Sequence, residues 1–453
     1  MSYASALDRL HALGQELYTA PGTPRRKFEL AHMRTLMAAL GSAERSFTSI
    51  LVAGTNGKGS TSSTLASILS AAGYRTGLYT SPHLSRVNER IQVDGVMVSD
   101  DDLASLFFHV EEIASTLARD GCLPAPPSFF ETVTAMAFLH FAAQGVHTAV
   151  VEVGMGGRLD ATNIVAPAVS VITDISLDHT EWLGSTVALI AREKAGILRR
   201  EGVMVTLPQH PEANQAVGEI AVSLNVRGVN AAGYLPVHNH PEHYTRNRYP
   251  LSVMEELIEI DSPLAGAHQQ RNLALAIATA VELRNNHGYN ITPVDIQAGV
   301  HDTVWPARLE QIAGHGSRAD VVLDVGHNPA GAWALRAAVS QLDQGQPLTL
   351  VFGCLKDKPI AELGQILFPL FRNVVLTPVD SPRGATMDEM LAAARSTGSA
   401  VEAANDAVSA VERALHITPP GGLVVVTGSV YLVGQVRPML MATRSAPAEP
   451  IRV

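Results

Sequence analysis

The segment Gly54-Thr55-Asn56-Gly57-Lys58-Gly59-Ser60 constrains this chain more than any other. It follows the apolar run Ser49 to Ala53, which reads as a buried strand. It precedes a stretch from about Gly59 to Ala72 with Leu65, Ile68, Leu69 and Ala72 at helical spacing. A glycine-rich turn between a strand and a helix is where backbone N–H groups curl around phosphate oxygens. In that reading Asn56, Gly57 and Gly59 belong to an ATP-binding loop, Lys58 reaches the β/γ-phosphates, and the Ser60 hydroxyl ligates Mg²⁺. The strict GxxxxGK[ST] pattern is not met. Val52 stands where its first glycine is needed, and Gly59 separates Lys58 from Ser60. The plainer reading is a glycine-rich turn without ligand. It is the weaker one, because a lysine and a serine both stand where phosphate chemistry needs them.

Beyond the loop, strand-like and helix-like runs alternate. Arg75 to Thr80, Thr148 to Val153 and Ala168 to Thr173 read as strands, and Phe129 to Gln144 and Val187 to Arg199 as helices. Repeated strand–helix–strand units imply a parallel sheet with helices on both faces. Val226 to Pro263 is rich in His, Asn, Pro, Tyr and Gly and reads as loops and short strands. A long helix follows from His268 to Asn286, and Gly299 to Pro306 is a plausible hinge. Four short apolar strands come next, at Val321 to Val325, Thr349 to Phe352, Asn373 to Thr377 and Leu423 to Thr427. The expected fold is α/β: a P-loop-type parallel-sheet ATP-binding domain over residues 1–299, then a smaller Rossmann-like α/β domain over 300–453, ending in a loose tail, SAPAEPIRV.

The 453 residues fit two or three domains, and a net charge of -10 argues against nucleic acid or an anionic membrane as partner. The two cysteines exclude a disulfide framework and suit a reducing compartment. The start, MSYASALDRLHALG, has no basic segment followed by an apolar one, and no uninterrupted apolar run reaches the ~20 residues of a membrane span. A cytoplasmic protein is expected.

Glu152 ends an apolar strand and precedes a glycine-rich turn, where a carboxylate points into the crevice in which open α/β sheets bind ligands. It can hold Mg²⁺ on nucleotide phosphates, or pair with Arg158. His179, just beyond another strand, reads on its own as a hydrogen-bonded structural residue. Lys194 sits with Arg192 and Glu193 in a pattern that predicts a solvated helical face.

Gly54 to Ser60 resembles the phosphate loop of the Mur ligase superfamily, and within it the folylpolyglutamate synthase/dihydrofolate synthase family. Further blocks agree in order: Thr80 to Leu84, Glu89-Arg90-Ile91, Glu152 to Asn163, Asp178-His179 with Trp182-Leu183-Gly184, and Arg192 to Ile197. Gln270-Arg271-Asn272, Pro306-Ala307-Arg308 and Asp324 to Pro329 continue the match. The blocks run from about residue 50 to residue 430; the first 45 residues and the loops near 226 to 263 match less clearly.

The resemblance implies a set of roles. Ser81, Glu152 and His179 join Ser60 as ligands of two Mg²⁺ ions. Lys194 becomes a carbamate, a carboxylate-like metal ligand, and with Lys58 and His179 serves catalysis. Asn272, Arg308 and Asp324 contact ATP across the domain interface, and His327 and Ser429 lie near the incoming glutamate. The plain reading of these is loop polar residues capping helices, which suits Asn328-Pro329 well. The pterin binds near Phe129 and Phe130 and the turn that carries Leu159, Asp160 and Ala161. The implied reaction is ATP-dependent addition of L-glutamate to a folate or dihydropteroate carboxylate through an acyl phosphate, by a monomer.

An ATP loop with metal ligands alone allows a kinase, a motor or a ligase, and a motor would carry the strict loop pattern. Another Mur-type amino-acid ligase is one alternative, although those usually carry Thr or Ser directly after the loop lysine, where this chain has Gly59. A non-catalytic nucleotide-binding protein is another; it needs only some of Lys58, Ser60, Glu152, His179 and Lys194, all of which are present.

Overall fold

A computed structural model describes residues 2–13, 29–237, 245–314, 318–342 and 345–445. The tail after Ser445 and part of the loop region near 226 to 263 lie outside them. The chain forms two compact units, one of Met1–Asn239, Arg248–Pro263 and Gln269–Val304, the other of His240–Asn247, Leu264–His268 and Trp305–Val453.

The first unit holds an eight-stranded sheet built from β1 (Thr48–Ala53), β2 (Thr76–Tyr79), β3 (Ile91–Val93), β4 (Val96–Met97), β5 (Thr148–Glu152), β6 (Pro167–Ile172), β7 (Val203–Thr206) and β8 (Arg227–Asn230). Their order is β4-β3-β2-β5-β1-β6-β7-β8. From β2 to β8 the neighbours run parallel, and β3 and β4 add an antiparallel edge. β5 is buried along its whole length and β1 from Ser49 onward, which is why both read as unbroken apolar runs rather than alternating ones. The helix Phe129–Ala143 brings Phe138 and Phe141 against Phe47 in the core, and Gly77 on β2 lets the Phe141 ring come close. The helix Lys58–Ala71 is buried from Gly59 to Ala66, and the helix Pro293–His301 lies on it through Gly299, where a Cβ would be 2.3 Å from the Ile68 Cα.

A two-stranded sheet follows, β9 (Asn247–Val253) and β10 (Glu256–Ser262). The second unit's six-stranded sheet comprises β11 (Glu310–Ile312), β12 (Asp320–Leu323), β13 (Leu348–Phe352), β14 (Asn373–Leu376), β15 (Val401–Ala403) and β16 (Leu423–Thr427), in the order β11-β12-β16-β13-β14-β15. All pairs but β11–β12 are parallel. The expected α/β class with two parallel-type sheets is what the chain adopts. One expected helix is shorter: Val187–Ala195 stops before Arg199, because Gly196 packs its backbone on Arg158, where a Cβ would lie 2.4 Å from the Arg158 Cβ.

Candidate active site

In the first sheet β2, β5, β1 and β6 are consecutive neighbours, so the segments leaving their carboxyl ends emerge side by side. These segments carry Ser81, Glu152, the Gly54–Ser60 loop and Asp174 to His179. Open parallel sheets bind ligands at that edge.

The loop is shaped from both sides. Gly54 lies so close to β6's end that a Cβ would sit 1.8 Å from the Thr173 Oγ1. Gly57, at φ 88, caps the helix Lys58–Ala71, and a Cβ there would meet the Asn272 Oδ1 at 2.1 Å. Asn272 thus sits on the loop within the first unit, on the helix Ala267–His287, with its amide Nδ2 donating to Gln269. The Asp174 carbonyl accepts from the Thr55 N–H at 2.8 Å and the Asn56 N–H at 3.1 Å.

Lys58 turns its amine back onto the loop, donating to the Gly54 carbonyl at 3.2 Å and the Thr55 carbonyl at 3.3 Å. Lys194 donates to the same Gly54 carbonyl at 2.7 Å. This corrects the solvated face predicted from spacing. Arg192 and Glu193 do lie outward, paired with Glu219 and Arg158, but the Lys194 side chain turns inward and is 4% exposed. Burial, then the neighbouring Lys58 charge, pulls its pKa down to about 7. Packing explains the placement. Gly157 lets its turn rest on the Glu193 and Lys194 carbonyls, each 2.8 Å from where a Cβ would be, and the Arg158 N–H donates to the Glu193 carbonyl. Asn163 ties the same turn to the Gly196 carbonyl, and Arg199 holds Asn163.

Glu152 is buried, and its Oε2 accepts the Ser81 N–H at 3.3 Å. The alternative pairing with Arg158 is not formed, since Arg158 makes two bonds to Glu193 instead. His179 takes a left-handed conformation, φ 50, at the start of the short helix Thr180–Leu183, and its N–H donates to Asp178. That conformation is uncommon outside glycine.

Ser60 Oγ, Ser81 Oγ and the Glu152 carboxylate are the hard oxygen donors Mg²⁺ takes. Among the described residues no three His, Cys, Asp or Glu side chains converge on a metal position, so a metal here would draw on serine oxygens and phosphate. Lys194 fits such a set only as a carbamate, because an amine offers a cation nitrogen or, when protonated, a repelling charge in place of the hard oxygen Mg²⁺ takes.

Phe129 and Phe130 begin their helix between two loops. Arg90 lies over the Phe129 ring at 5.1 Å and donates to the His83 Nδ1 at 2.9 Å. Burial, with Arg90 and His11 nearby, lowers the His83 pKa to about 3. Phe130 packs on Gly154, whose Cβ would be 2.5 Å from the ring, and sits 6.0 Å from the Tyr79 ring. Asp160 accepts from the Met155 and Thr162 N–H groups and the Thr162 hydroxyl, shaping the turn that holds Leu159 and Ala161.

In the second unit β12 and β16 are neighbours, which sets Asp324 to Asn328 beside Gly428-Ser429; the Gly428 N–H donates to the Gly326 carbonyl at 3.1 Å. Asp324 accepts from the Leu309 and Gly326 N–H groups. His327 Nδ1 lies 2.9 Å from the Val325 carbonyl, and Ser429 accepts from the Tyr431 N–H. Asn328 caps its helix through the Gly331 N–H, as its sequence context predicts. Arg308 lies between Ala307 at φ 58 and Leu309 at φ 52, with its guanidinium 5.6 Å from the Trp305 ring. Glu310 accepts the Ala307 N–H and a two-pronged pair from Arg437. The motif reading gives no role to Asp174, Arg199, Glu310 or Arg437, and takes Asn163 only as the end of a matched block. A carboxylate directly after a strand, at Asp174, is the one signal in the sequence that could have flagged any of them.

Residues 52–280 match the Mur ligase middle domain and 307–430 the Mur ligase glutamate ligase domain. The folylpolyglutamate synthase of Lacticaseibacillus casei is 34% identical over 413 residues, 91% of this chain and 94% of that protein. The dihydrofolate synthase/folylpolyglutamate synthase of Bacillus subtilis is 33% identical over 420 residues, with the same two coverages of 91% and 94%. Among solved structures, Mycobacterium tuberculosis folylpolyglutamate synthase complexed with ADP superposes with TM-score 0.85 at 32% identity, covering 98% of this chain and 99% of that one. Escherichia coli FolC in complex with DHPP and ADP gives TM-score 0.83 at 30% identity, with the same coverage of 98% and 99%. With both Mur ligase domains present in order and relatives matched along nearly their full length, the chain belongs to the folylpolyglutamate synthase/dihydrofolate synthase family of ATP-dependent Mur ligases.

Proposed function

We propose that the enzyme adds L-glutamate to the carboxylate of a folate or dihydropteroate, with these residues in these roles. An acceptor carboxylate oxygen attacks the γ-phosphorus of ATP and ADP leaves. The glutamate amine then attacks the acyl carbon, loses a proton and displaces inorganic phosphate, leaving an amide. The observation that carries the reading is the meeting of two lysine amines, Lys58 and Lys194, on the Gly54 carbonyl at the mouth of a buried helix. That arrangement sets the Lys58 cation and the N-terminus of the helix Lys58–Ala71 where transferring phosphate needs positive charge, with the Lys194 nitrogen beside them to carry the carbamate.

Lys58, with Asn56 and the backbone of Gly57 and Gly59, holds the nucleotide phosphates. Ser60, Ser81, Glu152, His179 and a carbamylated Lys194 would hold Mg²⁺, two ions in all, which when bound neutralises phosphate charge and orients the acceptor. Phe129, Phe130, Leu159, Asp160 and Ala161 form the acceptor wall. Asn272 acts beside the loop, Arg308 and Asp324 take the nucleotide, and His327 and Ser429 the glutamate. Residues 1–299 then carry the phosphate loop and the acceptor wall, and 300–453 the glutamate residues together with Arg308 and Asp324 for the nucleotide. A cytoplasmic, monomeric enzyme acting on small molecules is part of the proposal; among the described residues no helix is long and apolar enough to cross a membrane. The test is ADP release with each substrate left out in turn. Release should require both a pteroate or folate acceptor and L-glutamate; release that ignores either would sink the ligase reading for that substrate. Comparing dihydropteroate with tetrahydrofolate then assigns the acceptor.

A further inference from the structure

We propose that Arg271 and Asp174 are a positioning pair that sets the affinity of the phosphate loop for ATP; the inference rests on the nucleotide reading of that loop. Asp174 leaves the carboxyl end of β6 and forms an isolated bridge with Asn56. Its backbone carbonyl takes the Thr55 and Asn56 N–H groups at 2.8 and 3.1 Å. Those two N–H groups are thereby turned away from any ligand, and the following ones, from Gly57 on, are left to face it. Ser176, two residues further on, adds two more ties: its N–H donates to the Thr55 Oγ1 at 3.1 Å, and the Thr55 hydroxyl returns a bond to the Ser176 carbonyl at 3.0 Å. The path of the loop therefore depends on where Asp174 is held.

Arg271 holds it. Its Nε donates to the Asp174 Oδ2 at 2.8 Å and one terminal nitrogen to Oδ1 at 2.6 Å, while the same terminal nitrogen reaches the Pro208 carbonyl at 3.0 Å. A planar fork on a carboxylate fixes orientation as well as distance, which a lysine ammonium cannot do. The side chains are 31% and 38% exposed, so the pair adds little to stability and its value is geometric. Arg271 also directly precedes Asn272, whose Oδ1 lies against Gly57. One turn of the helix Ala267–His287 thus holds the loop twice, once directly and once through Asp174. There is an electrostatic part too. A bare Asp174 carboxylate beside the loop would repel nucleotide phosphates, and Arg271 cancels it.

The charge makes the test specific. In Arg271→Ala the loop is loosened and the carboxylate unmasked, so the KM for ATP should rise about tenfold or more, with the KM for the folate acceptor and the melting temperature little changed. Arg271→Lys should recover part of the loss. Adding Asp174→Asn to Arg271→Ala should bring the KM for ATP back toward wild type, since the repelling charge is gone. ADP binding by calorimetry should follow the same order. A KM for ATP within about twofold of wild type in Arg271→Ala, or equal rises for all three substrates, would overturn the proposal. Lys58→Ala, assayed alongside, separates the two failures. If Lys58→Ala is inactive while Arg271→Ala is unaffected, only the positioning pair is lost; if Lys58→Ala is active, the nucleotide reading itself falls.

Discussion

The two units present their candidate site residues at the same kind of place, the carboxyl edge of a parallel sheet, yet they secure the presenting loops differently. The phosphate loop of the first unit relies on absent side chains. Gly54 and Gly57 let Thr173 and Asn272 press against bare backbone, and Gly57 accepts a left-handed conformation without a Cβ. The Arg308 loop of the second unit places two non-glycine residues, Ala307 and Leu309, in that conformation and holds them with charge: Glu310 on the Ala307 N–H, backed by Arg437, and Asp324 on the Leu309 N–H. Close approach favours glycine, because a Cβ at Gly54 would meet Thr173 and one at Gly57 the Asn272 amide. A loop that leaves room for a Cβ can hold a less favoured conformation, at about 1–2 kcal/mol per residue, if hydrogen bonds compensate.

The largest effect should come from the first unit's lysine. Lys58→Ala should lower kcat by ~100-fold or more with the fold intact, because its charge acts mainly on the transferring phosphate. Steady-state ADP release with a melting curve measures both.

Lys194→Ala should come next. Read as a solvated charge, Lys194 would be worth no more than ~0.5 kcal/mol of stability and no activity. Buried beside Lys58, it should cost most of the activity, and acetate or formate at millimolar levels should restore part by supplying the missing anion. Carbamate signal from ¹³C-bicarbonate in NMR should be present in wild type and lost in the variant. The unmodified amine has a further signature. Its folded pKa of about 7 lies below the usual 10.5, so between those values the unfolded chain binds a proton that the folded chain does not. Its contribution to stability therefore rises with pH across that window and is lost as pH falls through about 7. Urea midpoints measured without bicarbonate should show this slope in wild type and a flatter one in Lys194→Ala.

Glu152→Gln should raise the Mg²⁺ concentration needed for half-maximal rate while keeping shape, since an amide oxygen lacks the charge a hard cation prefers. His179→Ala should do the same more weakly. An unchanged Mg²⁺ titration in both variants would place the metal elsewhere.

The smallest effects bear directly on the contrast between the loops. Gly57→Ala should weaken ADP binding by at least about tenfold, because the new Cβ is driven into the Asn272 amide. Ala307→Gly should change stability by no more than about 1 kcal/mol, as relief of the left-handed cost is offset by chain entropy. The KM for ATP should barely move. If the two substitutions behave alike, the loops are not secured by different means.

Local features survive in a sequence because their physics is local. The unbroken apolar runs of β1 and β5, the glycine turn at Gly54 to Gly59 and the cap at Asn328 depend on residues within a few positions of one another. They were readable directly, and the ordered motif blocks added the family. Burial and partnership are set by the sheet order and by which glycines admit a neighbour, and both join residues far apart in the chain. Arg192-Glu193-Lys194 looks like one charged patch, yet Lys194 ends under the phosphate loop because the Gly157 turn lies flat on its helix end. Arg158 is the nearest cation to Glu152 along the chain beyond its glycine turn, yet it pairs with Glu193. Arg271 meets Asp174 across 97 positions of the chain, and the pairing of β6 with β1 brings the end of β6 to the phosphate loop. Each is a contact between segments joined by tertiary packing, and no spacing rule along the chain can supply it.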